Sequence, residues 1–341
     1  MRKLIAGLAL LPLLAGCGRR GSSATYIQKD FVLSVPAQFM AYGQVKPEMK
    51  QLADEVFAEW NRVAAEFSYS DPYSQTALVN RKAASGWVKV DEEFFRLLTL
   101  GLEYYRMTGG AFDVTFAPLW PIWKEAAASR RLPAKDEIEK ALANMGSSHI
   151  QTDAKNLSVR FDKQVQINLG GLLRGYCFER AAKILEARRP DYPVQLRIGG
   201  NSYYYGDRNW RYRVPDPFRP NHIFGQFRFR TGMVMSSSGR DVFVEIEGRR
   251  YSHILDLRTG YPIDDFSNLV IYFPDRNGDK YLSSAALSVL GREKAFAYIS
   301  KIPGAAAVWV DGSGRPHFLF NPDCKAAWEE DKEILGGVLT N

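Results

Sequence analysis

The sequence predicts an α+β fold, a body of mixed β-sheets flanked by helices and built as two tightly packed subdomains. Three observations carry this. Helical periodicity is strong in some segments and absent from others. Aromatic and β-branched runs broken by glycines fill the stretch from 194 to 244. The two kinds of segment interleave irregularly. One-by-one alternation would mark a doubly wound parallel sheet, whereas irregular order marks helices set against mixed sheets.

In chain order, 31–35 and 39–45 read as short strands. Pro47 opens a helix in which Met49, Leu52, Val56, Trp60, Val63 and Phe67 recur every three or four residues, so one apolar stripe faces a core. A second helix starts at Asp91, with Glu92 and Glu93 in the first turn where the helix dipole favours negative charge, and stops at Gly109-Gly110. A third follows Pro133 and ends near Gly146. Segments 159–161 and 165–169 read as strands, and Gly170-Gly171 then leads into a helix that ends near Arg189-Pro190. Strands follow at 195–198, 224–230, 241–245, 268–273 and 306–310, with a helix over 281–290.

The first residues, Met1 to Gly16, pair a basic start (Arg2, Lys3) with an apolar run from Leu4 to Leu14 and a small-residue exit, the pattern of a secretory signal. The run is shorter than the roughly 20 apolar residues a spanning helix needs. Its ending, Leu14-Ala15-Gly16-Cys17, resembles the lipobox at which bacteria attach a diacylglyceryl group to the cysteine and cleave before it. The expectation is a signal peptide over 1–16, a lipidated flexible tether over 17–25 and a single folded domain over 26–335. The protein would then be exported and anchored through Cys17 to a bacterial membrane, facing the periplasm or the cell exterior. Acyl chains contribute about 0.8 kcal/mol per buried CH₂, and several on one cysteine meet the need for two anchoring signals.

The formal net charge is +7. It is scattered in pairs such as Arg130-Arg131, Arg188-Arg189 and Arg249-Arg250, without a long basic run interleaved with aromatics, so it reads as solvated surface and not as a nucleic-acid footprint. Besides Cys17 there are only Cys177 and Cys324, open to one bridge or two free thiols but not to a disulfide scaffold. The four histidines fall singly, with no zinc-binding spacing.

Three motifs could carry chemistry. TGGAFDVTFAPL (Thr108 to Leu119) closes a helix with paired glycines that let backbone approach a ligand, and it delivers Phe112, Asp113 and Thr115; the same residues also suit a helix cap followed by a buried strand. INLGGLLRG (Ile167 to Gly175) runs through two glycines into a helix, presenting free N–H groups where a phosphate can sit, with Arg174 to add a charge-assisted bond. It is not GxGxxG, and an ordinary strand-to-helix turn fits as well. SHILDLRTGYP (Ser252 to Pro262) places His253 three residues before Asp256, a spacing compatible with a general base or with a structural pair.

Taken in order, these segments resemble the ApbE-type FAD:protein FMN transferases over nearly the whole mature chain. Phe67-Ser68, Ser74 and Asn80 look like the family's early F-S…S…N segment. GGAFDVTFAPL, INLGGLLRGY, RIGGNSYYYG, SSSG and SHILDLRTGYP stand where the family has GGAFDPTVGPL, DLGGIAKGY, IGGDIxAxG, TSGD and HHIIDPRTGYP. The resemblance implies a T-fold-related body and an enzyme that binds FAD with Mg²⁺, cleaves the pyrophosphate, leaves FMN on a Thr or Ser of an acceptor protein and releases AMP. Such acceptors are typically subunits of membrane redox complexes. It further implies His253 as base with Asp256 beside it, and Met40, Ala111, Phe112, Asp113, Asn168, Arg174 and Ile254 along the FAD site.

The departures concern charge and one side-chain size. The family's M-G-T is Met40-Ala41-Tyr42, its Asp in DLGG is Asn168, the Lys or Glu before the next Gly is Arg174, and the Asp of IGGD is Asn201. Aligned back from Gly291, its metal-binding Asp falls on Tyr281 and its Thr on Ala285, leaving Ser284 and the backbone carbonyl of Gly171. Asp279 and Ser283 keep the Asp-to-Thr spacing two residues earlier, a shift that turns a helical pair by about 200°. Mg²⁺ is commonly held by one or two carboxylates, so this set departs from what the ion prefers. Two other classes compete with the transferase: a catalytically weak flavin-binding lipoprotein on the same scaffold, and a solute-binding lipoprotein, which leaves the ordered motifs unexplained.

Overall fold

The computed structural model describes residues 24–240, 243–264, 266–274 and 282–330. Its first half runs β1 (Tyr26–Val32), β2 (Val35–Ala41), α1 (Pro47–Glu66), α2 (Gln75–Lys82), β3 (Val88–Lys89), α3 (Glu92–Thr108), α4 (Leu119–Ser129), α5 (Lys135–Ala143), β4 (Ile150–Asp153) and β5 (Ser158–Phe161). Then come α6 (Gly170–Arg188), β6 (Val194–Ile198), β7 (Asn201–Tyr205), β8 (Trp210–Pro215), β9 (Ile223–Phe229), β10 (Gly232–Ser238), β11 (Phe243–Ile246) and β12 (Arg249–Ser252). The chain continues through β13 (Leu255–Asp256), β14 (Tyr261–Pro262), β15 (Phe266–Phe273), α7 (Ser284–Leu290), α8 (Arg292–Ile299), β16 (Ala306–Asp311), β17 (Pro316–Phe320) and β18 (Ala327–Glu330). This is the α+β class the sequence predicts.

Among the described residues one sheet of eight strands, ordered β1-β2-β6-β7-β10-β15-β16-β17 with antiparallel neighbours, forms the frame. Strand side chains alternate between faces. One face carries Phe39, Leu196, Met233, Leu269 and Ala307 into the main core beneath α1, α3 and α6. The other carries Tyr204, Val234, Val270 and Val308 against the small β18-β9-β8 sheet. A satellite core joins α4 and α5 to β11 and β12 through Leu119, Trp123, Ile138 and Ile246.

The clearest helices follow the sequence. Pro47 opens α1, whose Met49, Leu52, Val56, Trp60 and Val63 are buried. Each large apolar side chain so buried contributes about 1.5–3 kcal/mol. The Asp91 side chain caps α3 by accepting from the Phe94 N–H at 2.7 Å, and Gly109 ends the helix in the left-handed region.

Other segments differ from expectation. Leu33 and Ser34 have φ of +52° and +62° and form a tight hairpin between β1 and β2, so the predicted strand over 31–35 is cut by a turn with no glycine to announce it. Residues 165–169 form no strand: Asn80 takes over the ladder's role, donating Nδ2–H to the Ile167 carbonyl at 2.9 Å and accepting the Ile167 N–H at 2.7 Å. Helices α2, α4 and α8 lie where the sequence predicts none; α2 and α8, of 8 residues each, are too short to show an apolar stripe. Cys177, inside α6, and Cys324 are free thiols, and burial pushes both thiol pKa values up.

Candidate active site

Three segments far apart in sequence adjoin. The Asn168 N–H donates to the Val114 carbonyl at 2.6 Å, tying the second glycine turn to the first. A Cβ added to Gly171 would stand 3.0 Å from Cε2 of Phe112, a tight contact that places the start of α6 against that ring. On the other side, a Cβ on Gly110 would lie 3.6 Å from Cγ of Arg258, which brings in the His253 segment. Trp123 Nε1–H fastens that segment from α4, donating to the Gly260 carbonyl at 2.7 Å.

Within the first motif the polar groups hold the loop. Thr108 accepts the Phe112 N–H at 2.9 Å and donates to the Tyr104 carbonyl at 2.7 Å. The Asp113 carboxylate is buried and takes the Thr115 N–H at 2.7 Å, with the Thr115 and Ser147 hydroxyls each at 2.6 Å. Its oxygens therefore organise the protein itself. Ala111 and Phe112 are buried in the main core, as is Ile254, whose N–H donates to Ser252 Oγ and whose carbonyl accepts the Ile263 N–H. These residues shape the floor.

Arg174 stands one turn into α6 with one guanidinium nitrogen 3.8 Å from where a Gly199 Cβ would be. It has no ion-pair or hydrogen-bond partner among the described residues. The side chain reaches solvent, yet the atoms crowded round it strip enough water to pull its pKa below the ordinary arginine value. That combination describes a charge inside a cleft. Nearby, Gly200 packs against the Ser236 backbone, Asn201 Oδ1 accepts the Ser236 N–H at 3.2 Å, and the Ser237 and Ser284 hydroxyls meet at 2.7 Å.

The other expected residues divide. His253 is exposed at the head of its loop. Asp256 gives its carboxylate to Arg258, accepting Nε–H at 2.9 Å and Nη2–H at 2.7 Å, so it fixes the loop through an arginine and does not orient the histidine. Burial raises its pKa, but the Arg258 bonds and charge outweigh this and hold it below the usual carboxylate value. Asn168 Oδ1 is used by the Gly170 N–H at 2.9 Å, which shapes the turn. Met40 is set apart: strand alternation turns it to the face of the sheet that carries Tyr42 and Trp210, opposite Phe112 and Ile254. Asn80, Thr108, Ser147, Ser237 and Trp123 are the residues that position the site without having been singled out for it. Asn80, Thr108 and Ser237 had a signal, their places in the early, TGGAFD and SSSG motifs, while Trp123 and Ser147 had none.

Among the described residues, no side-chain set fits a Mg²⁺ ion. The Ser284 hydroxyl is hydrogen-bonded to that of Ser237, and the described residues contain no cluster of three acid, histidine or cysteine side chains. A hard octahedral cation prefers charged oxygen ligands. Tyr281 and Asp279 lie outside the described residues.

The fold is an α+β body in which two glycine turns and the histidine loop adjoin, with Arg174 on the helix that the second turn opens. Residues 31–309 match the sequence model of the ApbE family, and the chain belongs to that family. The FAD:protein FMN transferase of Treponema pallidum is 26% identical over 323 residues, covering 87% of each chain. That of Chlamydia pneumoniae is 27% identical over 263 residues, 75% of this chain and 80% of its own. The crystal structure of the ApbE protein from Thermotoga maritima superposes with a TM-score of 0.75 at 26% identity, covering 91% of this chain and 98% of its own. The flavin transferase ApbE from Vibrio cholerae, at 19% identity and a TM-score of 0.71, shares the fold.

Proposed function

We propose that this protein is an FAD:protein FMN transferase, taking FAD as substrate and moving its FMN half onto a Thr or Ser of an acceptor protein. The acceptor oxygen bonds to the FMN phosphorus, the bond from that phosphorus to the AMP oxygen breaks, and AMP leaves with the electron pair. His253 takes the hydroxyl proton, a role its exposure on the loop next to the glycine turns permits. The observation that carries the reading is Arg174, a guanidinium without an ion-pair or hydrogen-bond partner among the described residues, one turn into the helix that the second glycine turn opens and near Gly199, where it supplies charge to the pyrophosphate. No step is assigned to a metal.

The proposal extends to location and partner. Cys17, outside the described residues, carries the lipid that holds the protein to a bacterial membrane on its periplasmic or outer side, and the acceptor is a subunit of a membrane redox complex. The test is to incubate the protein with FAD and a Thr-containing acceptor, with Mg²⁺ and with a chelator, and to follow AMP and a fluorescent acceptor band. AMP with a labelled acceptor is the expected result. FAD binding without AMP would leave a flavin-binding lipoprotein instead, and absence of FAD binding would remove both readings.

A further inference from the structure

Beside the glycine turns lies a concavity of about 780 Å³ between the last turn of α3 and α8. Lys294, Tyr298 and Lys301 recur at three- and four-residue spacing along α8 and the turn after it, so they share one face. Arg106 faces them from α3, and Arg258, which also touches Gly110, closes the end nearest the active site. The floor is apolar, with Met107 48% exposed beside Leu290 and Ile302. Among the described lining residues four are cations and none is an acid. Arg258 is tied to Asp256, while Arg106, Lys294 and Lys301 have no carboxylate partner among the described residues. Among the described residues, the charge of Glu103 is felt at Tyr298.

Resting on the transferase reading, we propose that this groove docks the acceptor protein through a segment that mixes carboxylates with apolar side chains. Charge complementarity points to the carboxylates, since like-signed cations over an apolar floor repel one another until an anion lies between them. The exposed Met107 floor accounts for the apolar half. Position argues for the acceptor: the groove shares Gly109 and Arg258 with the active site, so a polypeptide held there reaches the cleft without crossing the molecule. Its concavity suits a segment of chain and not a flat bilayer. Exposed ion pairs are individually weak, so binding gains most from several acting together and weakens with salt.

The probe is a fluorescein-labelled short peptide with one Thr among Asp, Glu and Leu, compared with its Asn/Gln counterpart by fluorescence anisotropy. The acidic peptide is expected to bind at least about tenfold tighter, a difference of about 1.4 kcal/mol, and to lose that advantage in high salt. Lys294→Glu with Lys301→Glu should abolish the preference and favour a Lys-containing peptide, while quenching of FAD fluorescence stays unchanged and reports an intact fold. Equal binding of acidic and neutral peptides, or an unaltered preference in the double variant, would overturn the proposal. So would binding to anionic lipid vesicles that the double variant loses while peptide binding persists. Failure to release AMP would count against the transferase reading separately, because peptide binding is read without turnover.

Discussion

Arg174 and Asp256 show how differently two charged residues of the same site are used. Arg174 has no hydrogen-bond or ion-pair partner among the described residues, so Arg174→Gln should leave the urea unfolding midpoint unchanged while raising the Kd for FAD about tenfold, within the range for losing one charge-assisted bond. Titration of flavin fluorescence alongside urea denaturation checks both halves. Asp256 belongs to the fold through Arg258. Its folded pKa lies below the ordinary value of 3.8, so its contribution is complete above that value and is lost as pH falls through the depressed one. The stability gap between the native protein and Asp256→Asn should be constant from neutral pH to about pH 5 and shrink below about pH 4, measured by urea midpoints across the range. The free charge of Arg174 was legible from its motif, but the Asp256–Arg258 pair was not: three-residue spacing to His253 suggested a catalytic pair, and spacing does not reveal which cation the carboxylate meets.

At the level of elements, α3 and α6 carry the two glycine turns, and their approach explains an interior glycine. A Cβ at Gly101 in α3 would meet Cγ1 of Val114 at 2.6 Å. Glycine in a helix costs about 1 kcal/mol against alanine, so propensity alone favours replacement, yet overpacking costs about 1–3 kcal/mol. Gly101→Ala should therefore lower stability, and Val114→Ala in the same chain should recover part of it, as urea midpoints would show. The elements read correctly were those with a local cause: the stripe of α1, the Asp91 cap and glycine stop of α3, and the glycine entry to α6. The segment 165–169 looked like a strand because its side chains alternate, but Asn80, far back in the chain, satisfies its backbone. Alternation records which side chains are buried and is silent about who pairs the backbone.

For the whole molecule, the layered body and the proposed anchor are separable. Cys17→Ser should move the protein from the membrane fraction to the soluble one while FAD binding stays unchanged, checked by fractionation and fluorescence quenching. Loss of FAD binding on release from the membrane would contradict that separation.

By itself the sequence determined the α+β class, the strongest helices and the order of motifs that shows kinship, because periodicity, caps and glycine turns act between residues close along the chain. Tertiary structure alone decided that Asp113 holds Thr115 and Ser147, that Asp256 answers Arg258, that Met40 faces away from Phe112, and that four cations surround one groove. Those outcomes depend on which distant side chains the sheet brings within a few ångströms. Coulomb and hydrogen-bond energies at such distances follow from separation in space and carry no trace of separation in sequence.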